Sequence, residues 1–177
     1  MKLQISILAL LLTAGSVAFA QNTKERQRIQ KSKDAIKELV ETNWQIQKVL
    51  ETAYGYAIFP NVGKGAIGIG GAHGDGVLVR GGSPIMRASM TQVTVGFQWG
   101  GQAYMEAVLF ENKAAYDNFV EGKLKLSAQA SAVAVTAGAA VDAPYKDGVA
   151  IFTMAKGGLM YEASVGGQKF DVKEWKN

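Results

Sequence analysis

Glycine sets the first limit on what this chain can fold into. Between Tyr54 and Arg80 it interrupts every apolar run, and Gly63, Gly65 and Gly68 together spell G-x-G-x-x-G. A dinucleotide-binding fingerprint needs those glycines to follow a strand and open a helix whose N-terminus meets the pyrophosphate. Here Gly68 runs into Ile69, Gly70 and Gly71, then into a second apolar run from Val77 to Arg80. The context is strand–turn–strand, with no parallel βαβ unit around it. The phosphate loop G-x-x-x-x-G-K-[ST] fails too, because Lys64 is followed by Gly65, which has no hydroxyl for a magnesium ion. Ile67 and Ile69 alternate with Gly68 and Gly70, so one strand face is nearly bare and another backbone or a bulky ring packs close to it.

Period-two patterning continues beyond this stretch. Tyr56 to Phe59 predicts a short strand ended by Pro60-Asn61. Residues 66–72 and 77–80 flank a predicted turn at His73-Gly74-Asp75-Gly76. Residues 90–98 and 102–110 predict a second hairpin about Trp99-Gly100-Gly101, with Gly81 to Pro84 as a loop before it. Residues 148–154 and 159–165 predict a third about Ala155 to Gly158, and residues 168–172 a closing strand. Between Lys123 and Val141 helix and strand compete; Val133 and Val135 alternate with Ala132 and Ala134, which favours strand.

Two segments read as helices. From Thr23 to Ala53 the residues Ile29, Ile36, Leu39, Val40, Ile46, Val49 and Leu50 fall close to one helical stripe. From Asn112 to Val120 a short helix is capped by Asn112 and stopped by Gly122. The expected fold class is α+β: a strongly curved antiparallel sheet or barrel-like β core, packed with a long N-terminal helix and a short internal helix.

Residues 1–20 have the pattern of a secretory signal peptide. Lys2 supplies the positive start, residues 5–12 are almost wholly apolar, and Ala18-Phe19-Ala20 fits the small-x-small cleavage rule. The expectation is an exported, periplasmic protein, peripheral to a membrane, with the amphipathic helix at 21–50 and one domain at 51–177. The chain has no Cys, so its core rather than disulfides must hold it, and thiol catalysis is excluded. With 19 basic and 15 acidic residues, loss of Lys2 leaves 18 − 15 = +3. That mild excess permits attraction to anionic surfaces.

Catalytic parts are scarce. His73 is the single His and sits among glycines, where an exposed turn residue is the plainer reading. No G-x-S-x-G elbow is present, and the acids are scattered without metal-like clustering. No catalytic residue, metal or cofactor is expected. Lys64 and Lys156 each precede glycine at a strand end, where backbone N–H groups and an ammonium converge on an anion, or where a charge simply keeps the sheet edge soluble. In the first helix Arg26, Arg28, Lys31 and Lys33 offer a basic face to a membrane, or a solvated surface. The aromatics Trp99, Tyr104, Tyr145, Tyr161 and Trp175 read as an interfacial set or as core.

Several blocks in order resemble the SYLF domain family. Residues 53–65 look like its opening block, and residues 68–76 continue it. Residues 95–102 resemble its second block. Asp117-Asn118-Phe119 and an Ala-rich stretch from Ser127 follow. Residues 156–160 and 164–170 resemble its closing block. The similarity covers about Glu51 to Val172, with Ala66 standing where many relatives have glycine or an aromatic residue. It implies a non-enzymatic module that binds anionic phospholipid, with phosphoinositides as ligands and actin as a partner in some eukaryotic members. Lys64, Lys156 and Lys169 are the basic positions inside matching blocks and the expected lipid contacts. An envelope protein is the alternative partner, and no nucleic acid is expected.

Overall fold

The computed structural model describes residues 23–64, 71–93, 103–126, 131–139, 143–156, 163–164 and 167–175. The predicted signal segment, Gly65, Gly68, residues 95–102, residues 157–161 and the Ala-rich start at Ser127 lie outside the described residues.

The elements are a helix α1 over residues 23–42, α2 Gln45–Thr52, β1 Gly55–Lys64, β2 Gly71–Arg80, β3 Ser83–Val93, β4 Tyr104–Phe110, α3 Lys113–Val120, β5 Ser131–Ala134, β6 Val149–Ala155, β7 Ala163–Ser164 and β8 Gln168–Lys173. They form an α+β fold built on one eight-stranded sheet in the order β7-β5-β6-β4-β1-β2-β3-β8.

Chain connectivity shows how strongly this sheet curls. β7 and β8 stand at opposite ends of the order, yet only residues 165–167 join them. Four Cα steps reach at most about 15 Å, whereas the edges of a flat sheet of this size lie roughly 33 Å apart. The side chains agree: Gln168 Nε2 of β8 donates to Glu106 Oε2 of β4 at 2.8 Å, across four strand positions. Among the described residues no ladder joins β7 to β8, so the sheet is curled and open, not a closed barrel.

The curl gives the sheet an inner and an outer face, and β4 is buried on both. Its even positions Tyr104, Val108 and Phe110 join the inner cluster with Phe59, Leu78, Met90 and Phe170. Its odd positions Met105, Ala107 and Leu109 join the outer cluster with Ile58, Val77 and Phe152. This is the strand alternation that the sequence pattern implies. Phe119 of α3 plugs one end of the curl, its ring centroid 4.8 Å from Phe110 and 5.0 Å from Phe170. Asn112 caps α3 as predicted, its Oδ1 accepting from Ala115 N at 3.0 Å, and Gly122 follows with φ +67.

Ala35 and Leu39 of α1 and Ile46 of α2 cover the outer face. The predicted single helix is therefore two, broken at Asn43-Trp44. Asn43 is buried, and its Nδ2 donates to the carbonyls of Thr136 at 3.0 Å and Ala139 at 2.9 Å, while its Oδ1 accepts from Gln45 N. That side chain ties the helical break to the segment after β5.

Four strand expectations change. The second predicted hairpin does not form among the described residues, because β4 lies between β6 and β1 while β3 lies between β2 and β8. The turn predicted at residues 73–76 is the middle of β2, and the chain turns instead at Gly81 and Gly82, with φ +57 and +73. Gly76 is present for close approach: a Cβ there would lie 2.0 Å from Ile58 O. β1 does not stop at Pro60-Asn61 but passes through a register shift between Ile58 and Val62, a bulge that tolerates proline. The third hairpin is not formed by neighbours, because β5 lies between β6 and β7. β5 runs parallel to β6, so the sheet is mixed, and residues 135–148 supply the long return that a parallel pair requires.

Candidate functional site

α3 closes the Phe110 end of β4; Lys64 and Lys156 lie toward the Tyr104 end, while Lys169 is next to Phe170, whose ring packs on Phe119 of α3. Lys64 closes β1 and pairs with Ala72, while Val62 pairs with Tyr104. Tyr104 pairs in turn with Ala155, next to Lys156. Lys169 pairs with Thr91, one step from the Gln92–Gln168 pair at the same end. Along the sheet, Lys156 and Lys64 are two strands apart, roughly 10 Å, and Lys169 lies three strands on, roughly 14 Å. Lys156 and Lys169 are exposed. Lys169 points outward, since its neighbours Gln168 and Phe170 are buried on the inner face.

Just inside this rim the inner face turns polar. Tyr104 Oη donates to Gln92 Oε1 at 3.2 Å, and Gln168 holds Glu106. Glu106 and Thr153 are direct partners across β4 and β6, and both are fully buried. Burial lifts the Glu106 carboxyl to about 7 from an ordinary 4.5, and the Gln168 hydrogen bond pulls it the other way. Burial, with the Glu106 charge second, also raises the Tyr104 phenol. Glu106 Oε1, Gln168 Oε1 and Thr153 Oγ1 have no hydrogen-bond partner. A neutral carboxylic acid suits this setting better than a carboxylate, because it brings a proton to a group of acceptors. Sequence reading missed this cluster. Its signal was a lone charge inside the otherwise uncharged run Tyr104 to Phe110.

The helix cations divide. Arg26, Lys31 and Lys33 are exposed. Arg28 is committed to the domain: its Nη1 lies 3.0 Å from Asp75 Oδ1 and donates to Ala88 O at 3.1 Å. One of the four cations of the basic helix face therefore serves as a strut on the sheet. His73 lies half-buried within β2 with its Nε2 3.6 Å from Asp75 Oδ1, not in an exposed turn. Of the aromatic set, Tyr104 is interior, and Tyr145 and Trp175 pack on the outer cluster. Trp44, at the helical break, is 74% exposed and was not singled out by sequence. Among the described residues no helix is long and apolar enough to cross a membrane, and no group of three or more His, Asp or Glu is placed to hold a metal.

Beta cell expansion factor A of Aeromonas veronii is 30% identical over 125 residues, which cover 69% of this chain and 47% of that protein. The chain thus spans about half the length of the curated relative it matches. The profile of the family described as "Ysc84: Las17-binding protein actin regulator" matches residues 91–177, from the end of β3 through β8. Across those residues the chain carries the Ysc84, or SYLF, domain, and it belongs to that family.

Proposed function

We propose that this chain is a non-enzymatic module that binds anionic phospholipid surfaces through its lysine-bearing rim, as an exported protein of the cell envelope. The observation that carries the reading is that Lys64 and Lys156 stand at strand ends two strands apart, toward the Tyr104 end of β4 and away from the α3 contact at Phe110, with Lys169 exposed on β8 beside the Gln92–Gln168 pair. Each lysine near an anionic leaflet contributes about 1 kcal/mol. Three together amount to about a hundredfold preference over a neutral surface. Export rests on the pattern of residues 1–20. Family membership supports a binding role over a catalytic one.

Co-sedimentation with vesicles tests the reading. Phosphatidylcholine vesicles carrying phosphatidylglycerol are expected to retain the protein, and pure phosphatidylcholine vesicles to release it. Lys64→Glu with Lys156→Glu is expected to weaken retention at least tenfold. Equal retention on both vesicle types, or an unaffected double variant, would sink the reading.

A protein-interaction reading stands second, on the exposure of Trp44 at the helical break, since exposed tryptophans are common anchors of protein interfaces. Absence of vesicle binding, with capture of one envelope protein that Trp44→Ala abolishes, would favour it.

A further inference from the structure

Strand pairing sets Glu106 of β4 beside Thr153 of β6 on one side and Phe59 of β1 on the other. The curl brings Gln168 of β8 across to them, its Nε2 donating to Glu106 Oε2 at 2.8 Å. Tyr104 and Gln92, joined at 3.2 Å, close the side toward the strand end. Phe59 and Phe170, with ring centroids 5.9 Å apart, belong to the hydrocarbon around them. Glu106 and Thr153 are 0% exposed and Gln168 2%, so bulk water does not serve their polar atoms.

Three oxygens of this cluster are left over: Glu106 Oε1, Gln168 Oε1 and Thr153 Oγ1 have no hydrogen-bond partner. The Thr153 hydroxyl can donate as well as accept, yet it reaches neither of the other two. A proton on Glu106 adds one donor to the group and leaves the remaining oxygens unmatched. Buried polar atoms are as a rule matched, and an exception points to an ion or a water. Carboxylate, amide and hydroxyl oxygens are hard donors, the set that hard metal cations take. Glu106 is the one acid among the buried described residues, and no Lys or Arg is among them. Its charge is therefore balanced by a single positive charge. A divalent ion would leave a net charge in the core, which burial makes costly.

We infer that Glu106, Gln168 and Thr153 form a buried binding site for a monovalent metal cation, sodium or potassium. Glu106 Oε1 supplies the charge, and Gln168 Oε1 and Thr153 Oγ1 complete the protein's share of the oxygen shell. Gln168 has two tasks: its Nε2 orients the carboxylate, and its Oε1 turns to the ion. Because Gln168 opens the edge strand β8, the ion ties β8 to β4 and β6 across the curl. The site lies on the inner face and uses no lysine, so it stands apart from the rim reading.

Thermal melts of the purified chain at pH 8 and constant ionic strength read the site. Choline chloride is the reference, because choline is too bulky for a buried oxygen shell. Sodium or potassium chloride is expected to raise the melting temperature by about 3 °C or more, with a gain that saturates. Glu106→Gln keeps the shape and removes the charge. It is expected to melt above the wild type in choline chloride and alike in all three salts. Thr153→Val keeps the charge and removes one oxygen. It is expected to need roughly fivefold more cation for half the gain, and it gives the reading even where Glu106→Gln does not fold. A larger gain in sodium or in potassium assigns the ion, and either supports the site. Identical wild-type melts in sodium, potassium and choline chloride, as a buried water alone would give, would overturn it. So would a cation gain that neither substitution weakens.

Discussion

Gly76→Ala is expected to lower stability by about 3 kcal/mol or more in urea denaturation, and Gly76→Val to prevent folding. A Cβ at residue 76 would lie 2.0 Å from Ile58 O, 2.8 Å from Phe59 Cδ1 and 2.9 Å from the Ile58 carbonyl carbon. Two of these contacts are backbone atoms of the neighbouring strand, so no rotamer change relieves them. β1 and β2 would have to separate at the centre of the sheet, where Ile58 pairs with Val77. Gly63→Ala is the matched control. It removes the first glycine of the G-x-G-x-x-G string, yet a Cβ there meets nothing within 4 Å, and its effect is expected to stay within about 0.5 kcal/mol. Similar losses for Gly63→Ala and Gly76→Ala would show that close packing at Gly76 is not the reason for its glycine.

Glu106 is expected to make the protein less stable as pH rises toward neutrality. Its folded-state carboxyl titrates near 7 against an ordinary 4.5, chiefly because burial disfavours the charge. Between those values the folded chain holds a proton that the unfolded chain has released. The stabilisation from this group is fully present below about 4.5, falls as pH rises, and is lost above about 7. Its span is about 3 kcal/mol. Glu106→Gln keeps the shape and removes the titration. It is expected to match the wild type near pH 4 and to exceed it by about 3 kcal/mol near pH 8. The difference between the two urea profiles cancels the contribution of the other carboxylates. Profiles that run parallel from pH 4 to 8 would show that Glu106 is not held neutral in the fold.

What was legible in the sequence was local. The α3 helix is specified by Asn112 at its cap and Gly122 beyond its end, both within ten residues, and both act as predicted. β4, β6 and β8 announce themselves by short apolar or alternating runs. The long helix was misread at Asn43, because the partners that break it, Thr136 and Ala139, lie more than ninety residues away. The glycines at 74 and 76 look like a turn when only neighbours along the chain are considered. Their use becomes visible once Ile58 and Phe59 are stacked beside them. The three lysines could be named from their glycine neighbours and family blocks, but no pattern in the chain says that β1, β6 and β8 bring them to one rim. That follows from strand order, which three-residue connections and side chains such as Gln168 and Glu106 enforce across the curl.

The rim itself offers the most direct test. The chain has no Cys, so a single engineered thiol can carry an environment-sensitive fluorophore. Lys156→Cys places the label at the rim and leaves Lys64 and Lys169 in place. Ser83→Cys places it at the exposed β2–β3 turn, roughly 23 Å away along the strand direction. With anionic vesicles the rim label is expected to shift to shorter wavelength, and the turn label to stay as in buffer. A shift at Ser83 without one at Lys156, or equal shifts on neutral vesicles, would contradict binding through the lysine rim.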